Sequence, residues 1–371
     1  MRILSVLTSF TSGGAEMLVC NLAKQFAGDG HSVTIVALAD AAAVGNSPDT
    51  EREMMAEARR AGINARSLSL VRRGNLFSGA LAVRRLMAEL RPDVIHAHTA
   101  RAIPMLWLAR TKAPILLTHH NTRLSFPPAM FRFFDLSVRE YVAITPECAR
   151  IARAHARRPI RLIPNAASEA FRAAAPRTRP AERPMILSVG ALTPQKDYPT
   201  LIRAASHLAT AMAATGRTPR IRIAGGGALM AELQTLVASE RAGSIVELLG
   251  PRSDVRALMT EADLYVNCSL YEGMPIAILE ALSSALPIVA TDVPGNRELI
   301  DNRSGILVPG SDPQALALAV QAALTDELGY RRLSQGALSA AAAFTIDGCA
   351  RAHLQLYADA LRGDQLSRRA A

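Results

Sequence analysis

The segment Ser269-Leu270-Tyr271-Glu272-Gly273-Met274-Pro275-Ile276-Ala277-Ile278-Leu279-Glu280 puts one carboxylate in a loop and a second inside an apolar helix. The apolar run Leu264–Val266 before it reads as a strand, so Glu272 and Gly273 fall on a loop at that strand's C-terminal end. Pro275 suits the first turn of a helix, where its missing N–H costs nothing. The N–H groups of Ile276 and Ala277 then face outward, a ready site for a phosphate. Glu280 follows about a turn and a half later, on a helix otherwise too apolar to need a carboxylate. Two carboxylates around a phosphate-binding helix start suit a sugar nucleotide, one for the sugar hydroxyls and one for the ribose. A purely structural reading competes: Glu272 caps the helix and Glu280 pairs with a neighbouring arginine. Spacing alone leaves both open.

Outward from this segment the same rhythm recurs. Strand-like runs at Ile3–Leu7, Val33–Leu38, Val94–Ile95 and Ile115–Leu117 alternate with helices predicted over Ala15–Ala27 and Leu76–Leu90. A second series at Met185–Val189, Ile221–Ala224, Ile245–Leu248, Leu264–Val266 and Pro287–Ala290 is separated by helical stretches such as Tyr198–Ala214. Alternation of this kind predicts parallel sheets with ligands at the C-terminal strand ends. Between the series, Pro176-Arg-Thr-Arg-Pro180-Ala-Glu-Arg-Pro184 reads as a linker. The expected organisation is an N-terminal Rossmann-like domain over 1–175, a linker over 176–184, a second such domain over 185–345, and a C-terminal segment over 346–371.

Two domains also suit the 371-residue length. No apolar run approaches the ~20 residues of a membrane-spanning helix. The N-terminus lacks the features of a signal peptide, so a cytoplasmic location is expected. Cys20, Cys148, Cys268 and Cys349 are scattered singly and read as small buried hydrophobes. Charge is uneven. Residues 1–175 carry 23 Lys and Arg against 13 Asp and Glu, while the rest carries 19 of each, so the whole net charge of +10 lies in the first half. That half is expected to face something anionic: a phospholipid surface, a phosphate-bearing substrate or nucleic acid.

Glu272-x7-Glu280 with Glu-Gly-Met-Pro resembles the donor-site signature of the retaining family 4 glycosyltransferases of the GT-B fold. Other landmarks fall in that family's order. They are Gly13-Gly14-Ala15-Glu16, Arg91-Pro92-Asp93-Val94-Ile95-His96-Ala97-His98, Thr118-His119-His120, Ile163-Pro164-Asn165, Val189-Gly190-Ala191-Leu192-Thr193-Pro194-Gln195-Lys196-Asp197, Pro287–Asp292 and Gly295-Asn-Arg-Glu298. The resemblance implies an α/β protein of two Rossmann-like domains facing each other across a cleft, its final helix crossing back to the first domain. It also implies metal-independent transfer with no cofactor beyond a UDP- or GDP-sugar donor. Lys196 would bind the donor diphosphate, Glu272 the transferred sugar and Glu280 the ribose. Gly190, Gly273, Met274, Pro275 and Ile276 would complete the donor site, and Gly13 and Gly14 would let backbone approach the diphosphate or acceptor. His120 matches the active-site histidine, with His119 as the alternative. The remaining histidines read as satisfied core or cleft residues rather than metal ligands.

Three positions depart from the family pattern. Ala191 stands where a diphosphate-binding arginine is usual, Ala166 where Gly follows Ile-Pro-Asn, and Ala285 where Gly precedes the Pro-x-Val strand. Loss of the first contact would weaken phosphate binding by ~1.5–3 kcal/mol unless Arg252 or Arg297 replaces it. Gly225-Gly226-Gly227 lacks dinucleotide spacing and reads as a tight turn near a nucleotide base. Phe126–Phe134 holds four of the nine phenylalanines and is open to two readings, core packing or an interfacial membrane segment. The expected function is retaining transfer of a hexose or N-acetylhexosamine to a glycan or lipid-linked acceptor, with peripheral contact to the inner face of the plasma membrane. The alternatives are a catalytically weak sugar-nucleotide- or glycan-binding relative and, third, a nucleic-acid-binding protein. The last is opposed by an aromatic content of only 4% and the lack of a basic recognition helix.

Overall fold

The computed structural model describes residues 1–70, 76–213 and 216–369. The chain forms two compact units, one of Met1–Asn165 with Ile346–Ala371, the other of Ala166–Thr345. Among the described residues the first unit has seven strands: β1 (Arg2–Leu7), β2 (Ser32–Ala37), β3 (Asn64–Ser67), β4 (Val94–Ala97), β5 (Ile115–Thr118), β6 (Val138–Ala143) and β7 (Ile160–Leu162). They pair in parallel in the order β3-β2-β1-β4-β5-β6-β7. The second unit has β8 (Met185–Val189), β9 (Arg220–Ala224), β10 (Val246–Gly250), β11 (Leu264–Asn267), β12 (Ile288–Thr291) and β13 (Gly305–Val308), ordered β10-β9-β8-β11-β12-β13, again all parallel. Both are the Rossmann arrangement, with strand order reversing at β1/β4 and at β8/β11.

Apolar runs explain the central strands, since a parallel strand covered on both faces needs no alternation. In each sheet the reversal pair, β1 with β4 and β8 with β11, lies in the middle, and its buried residues, such as Leu4, Ile95, Ile186 and Val266, anchor two separate cores. The predicted helix over Leu76–Leu90 is present with those bounds. The one expected to end at Ala214 is described over Tyr198–Ala213, Ala214 itself lying outside the described residues.

Two expectations need correction. The first unit ends at Asn165 rather than at 175, and the proline-rich stretch is no free linker. Arg177 binds through its N–H to Ser334 Oγ and through its guanidinium to the carbonyls of Met259 and Thr260. The N–H groups of Ala181 and Met185 both donate to the buried carboxylate of Asp263, at 2.8 Å each. Polar anchors on the second unit fix this segment in place. In Phe126–Phe134, Phe131 and Phe134 take the core reading; both are buried, and Phe126 packs edge-on against each.

The helix Ile346–Arg369 belongs to the first unit and packs beside Gly14–Gly28, where Tyr357 meets Phe26. No helix among the described residues is long and apolar enough to cross a membrane. All four cysteines are buried and free.

Candidate active site

In the second unit the switch point is flanked by two loops, 190–197 after β8 and 268–275 after β11. The first makes a tight turn over Pro194–Lys196 and ends at Asp197 in the left-handed region (φ 46°), where Thr200 and Ser311 hydroxyls donate to its carboxylate. Leu270 N–H donates to Gln195 O at 2.8 Å and Gln195 Nε2 to Tyr271 O at 2.9 Å, which ties the loops together.

That tie brings Lys196 and Glu272 into contact. Lys196 Nζ donates to Glu272 Oε1 at 2.6 Å, Ser269 Oγ donates to the same oxygen at 2.7 Å, and Gln195 Nε2 reaches Oε2 at 3.3 Å. The lysine side chain is 18% exposed and the glutamate 7%, so the pair is shielded from water. Beneath the loop, Thr291 Oγ1 donates to Ser269 O at 2.6 Å, while Asn296 Nδ2 donates to Asn267 Oδ1 and Thr291 O. Sequence reasoning named neither Ser269 nor Asn296 for a role. Ser269 stood three residues before Glu272, a spacing that could have flagged it; nothing local flagged Asn296.

Glycine is required where the backbones close in. A Cβ on Gly295 would stand 2.4 Å from Gly273 O, and one on Gly225 would stand 1.9 Å from Gly190 O. These contacts bring the β9 and β12 loops directly against the site.

The helix Ile276–Ser283 starts one residue later than expected, with Pro275 as its N-cap. Its first N–H groups, at Ile276 and Ala277, have no carbonyl a turn earlier to bind. Glu280 is 8% exposed, and among the described residues its carboxylate has neither a hydrogen bond nor an ion pair. Burial alone pushes it up to about 8. Glu272 thus pairs with Lys196, and among the described residues Glu280 pairs with no arginine.

Arg252 follows the edge strand β10 and forks onto Asp254. Arg297 does the same to Asp292. Ala191 is exposed. Each arginine considered as a substitute is thus committed to an aspartate beside it.

Gly13 and Gly14 lie in the first unit at the start of the helix Gly14–Gly28. A Cβ on Gly13 would stand 2.4 Å from Glu16 Oε2, so the glycine makes room for that carboxylate, which burial pushes upward. The histidines sit at the β4 and β5 ends. His96 is fully engaged, with Nδ1 at 2.7 Å from Tyr357 OH and Nε2 at 2.7 Å from Thr118 Oγ1. His119 Nε2 donates to Arg123 O at 3.0 Å. His120 Nε2 lies 3.1 Å from His98 Nδ1, and its own buried Nδ1 has no partner among the described residues. Burial lowers His120 to about 3, so the ring is neutral near pH 7.

Two Rossmann-like parallel sheets, the second carrying a shielded lysine–glutamate pair at its switch point, form the frame of a GT-B protein. The family model "Glycosyltransferase Family 4" matches residues 12–170 and "Glycosyl transferases group 1" matches 171–339, between them most of the chain. The chain belongs to glycosyltransferase family 4. It is 36% identical over 155 residues to the putative colanic acid biosynthesis glycosyltransferase WcaL of Escherichia coli K12, across 38% of this chain and 37% of that protein. The first curated relatives are thus matched over little more than a third of their length. The GalNAc-alpha-(1->4)-GalNAc-alpha-(1->3)-diNAcBac-PP-undecaprenol alpha-1,4-N-acetyl-D-galactosaminyltransferase of Campylobacter jejuni is 23% identical over 97% of this chain and 99% of its own. Among solved structures, Anabaena HepE in complex with UDP and glucose superposes with a TM-score of 0.78 at 18% identity, covering 96% of this chain and 99% of that one.

Proposed function

We propose that the chain is a retaining glycosyltransferase that moves a hexose or N-acetylhexosamine from a UDP- or GDP-sugar to a glycan or lipid-linked acceptor. The work would belong to cell-surface polysaccharide or glycolipid synthesis, at the inner face of the plasma membrane. The observation that carries this reading is the switch point of the second sheet, where Lys196 and Glu272 meet and Glu280 lies buried with no partner among the described residues. A diphosphate arriving there offers Lys196 a second anion, and the N–H groups of Ile276 and Ala277 add donors from Pro275 onward. Glu272, released from the lysine, accepts from sugar hydroxyls, and Glu280 accepts from the ribose.

In the reaction the bond between the anomeric carbon and the phosphate oxygen breaks as the glycosidic bond forms on the same face. The acceptor hydroxyl's proton passes to the departing phosphate oxygen, so no protein nucleophile, metal or cofactor is invoked. Lys196 and the helix start stabilise the leaving charge. His120, neutral, takes the part of the active-site histidine that the family resemblance gives it, its buried Nδ1 having no partner among the described residues.

The test is a thermal-shift panel of UDP-glucose, UDP-N-acetylglucosamine, GDP-mannose, UDP, GDP and NADH on wild type and Glu280→Ala. Stabilisation by one base family, lost in the variant, is expected; silence across the panel overturns the donor site. A second reading, a weak sugar-nucleotide-binding relative, draws on Ala191 and on the pairing of Arg252 and Arg297. Turnover abolished by Glu272→Ala and by His120→Ala would remove it.

A further inference from the structure

The first unit's helices Leu76–Leu90, Ala102–Leu108 and Met130–Phe134 join β3 to β4, β4 to β5 and β5 to β6. Each crossover advances in the same direction along the sheet, so right-handed connections place all three on one face. Their inner sides give Val83, Leu86, Ile103, Leu106, Phe131 and Phe134 to the core. Gly79 of the first helix packs against Met105 of the second.

The outer sides are unusually apolar for a water-facing layer. Phe77 is 71% exposed, Leu81 50%, Trp107 44%, and Leu136, just beyond the third helix, 64%. Trp107, the only tryptophan in the sequence, packs edge-on against Phe133 at 5.4 Å. Cations accompany these groups. Arg84 and Arg85 share a helix face with Leu81, Arg110 follows Trp107 by three residues, and Arg132 adjoins Phe133. Among the described residues these four arginines form no ion pair, whereas Arg2, Arg66, Arg150 and Arg161 elsewhere in the same unit each hold a carboxylate. Nearby acids are engaged elsewhere, Glu89 with Arg66 and Asp135 with Tyr141 and Arg157 N–H.

We propose that this outer face docks on an anionic lipid bilayer. Rings and leucines in line with uncompensated guanidinium groups match the boundary between acyl chains and phosphate headgroups, where both are satisfied at once. The charge excess of the whole chain lies in the same half. The inference deepens the proposed function by naming where a lipid-linked acceptor is met, and it rests on that reading for the acceptor alone.

Trp107 makes the test direct. The full chain is titrated with phosphatidylcholine vesicles with and without phosphatidylglycerol, and tryptophan emission is read together with quenching by brominated acyl chains. A blue shift and quenching with the anionic vesicles only are expected. Arg84→Gln with Arg85→Gln should weaken binding by roughly 25-fold, about fivefold for each charge. Leu81→Ser should weaken it as well. No shift with anionic vesicles, an equal shift with neutral ones, or unchanged affinity in the arginine variant would each overturn the docking face. Stabilisation by nucleotide is measured on the same variants. Its retention where vesicle binding is lost assigns docking to this surface. Vesicle binding by a wild-type chain that no nucleotide stabilises leaves docking standing and fails the proposed function instead.

Discussion

Glu280 is a carboxyl group held in an apolar helix with its charge uncompensated, and its protonation is therefore coupled to both folding and binding. Its folded value of about 8 stands above the ordinary carboxyl value of 4.5, so the native state binds more protons between those limits. Stability is full below about 4.5 and falls as pH rises through 8, by roughly 3 kcal/mol near neutrality. Glu280→Gln should flatten that slope in denaturation followed across pH. If ribose hydroxyls donate to the ionised group, nucleotide binding at pH 7 must expel up to about one proton. Calorimetry in two buffers of different ionisation heat should register that release in wild type and none in Glu280→Gln. Equal release in both proteins would sink the ribose role. Both glutamates were legible as candidates because a carboxylate in so apolar a segment demands a reason. Their states were not: the partner of Glu272 lies 76 residues away in sequence, and only the fold brings it near.

Among the elements, the segment 176–184 separates what sequence shows from what packing adds. Its prolines signal a stretch outside the helices and strands, but its anchors are Asp263, Ser334 and two carbonyls far along the chain, which no local pattern reveals. Asp263→Ala would leave the N–H groups of Ala181 and Met185 without their acceptor, at a cost of about 2–4 kcal/mol. A lowered denaturation midpoint with faster proteolysis within 176–184 is expected; an unchanged midpoint would mean that the anchoring is incidental. The strands divide the same way. Apolar runs disclosed β1, β2, β4, β5 and β8 through β12. The edge strands β3 and β7 carry Arg66 and Arg161 on short, half-covered segments, and β13 opens on Gly305, so none shows an apolar run long enough to read. Inner strand β6 was hidden by the Arg139–Glu140 pair in its middle, where Glu140 binds Arg161 of β7.

For the whole molecule, two cores imply two cooperative units. If the donor site belongs wholly to the second, ligand stabilisation should appear there first. At a nucleotide concentration of 100 Kd the gain is about 2.7 kcal/mol. Differential scanning calorimetry should show it in the transition that Asp263→Ala lowers, the other transition moving less. Equal displacement of both would instead reveal strong coupling between the units.

The helix Ile346–Arg369 closes the first unit from the far side of the second in sequence. Tyr357 supplies the hydrogen bond to His96, and Cys349 donates to Pro164 O. During synthesis, residues 1–165 therefore emerge well before the segment that completes their core, while 166–345 is complete as soon as it has emerged. The ribosome thus delivers the two units in an order opposite to the one in which they can finish, and the unit made first must wait for its own last helix, made after the second unit.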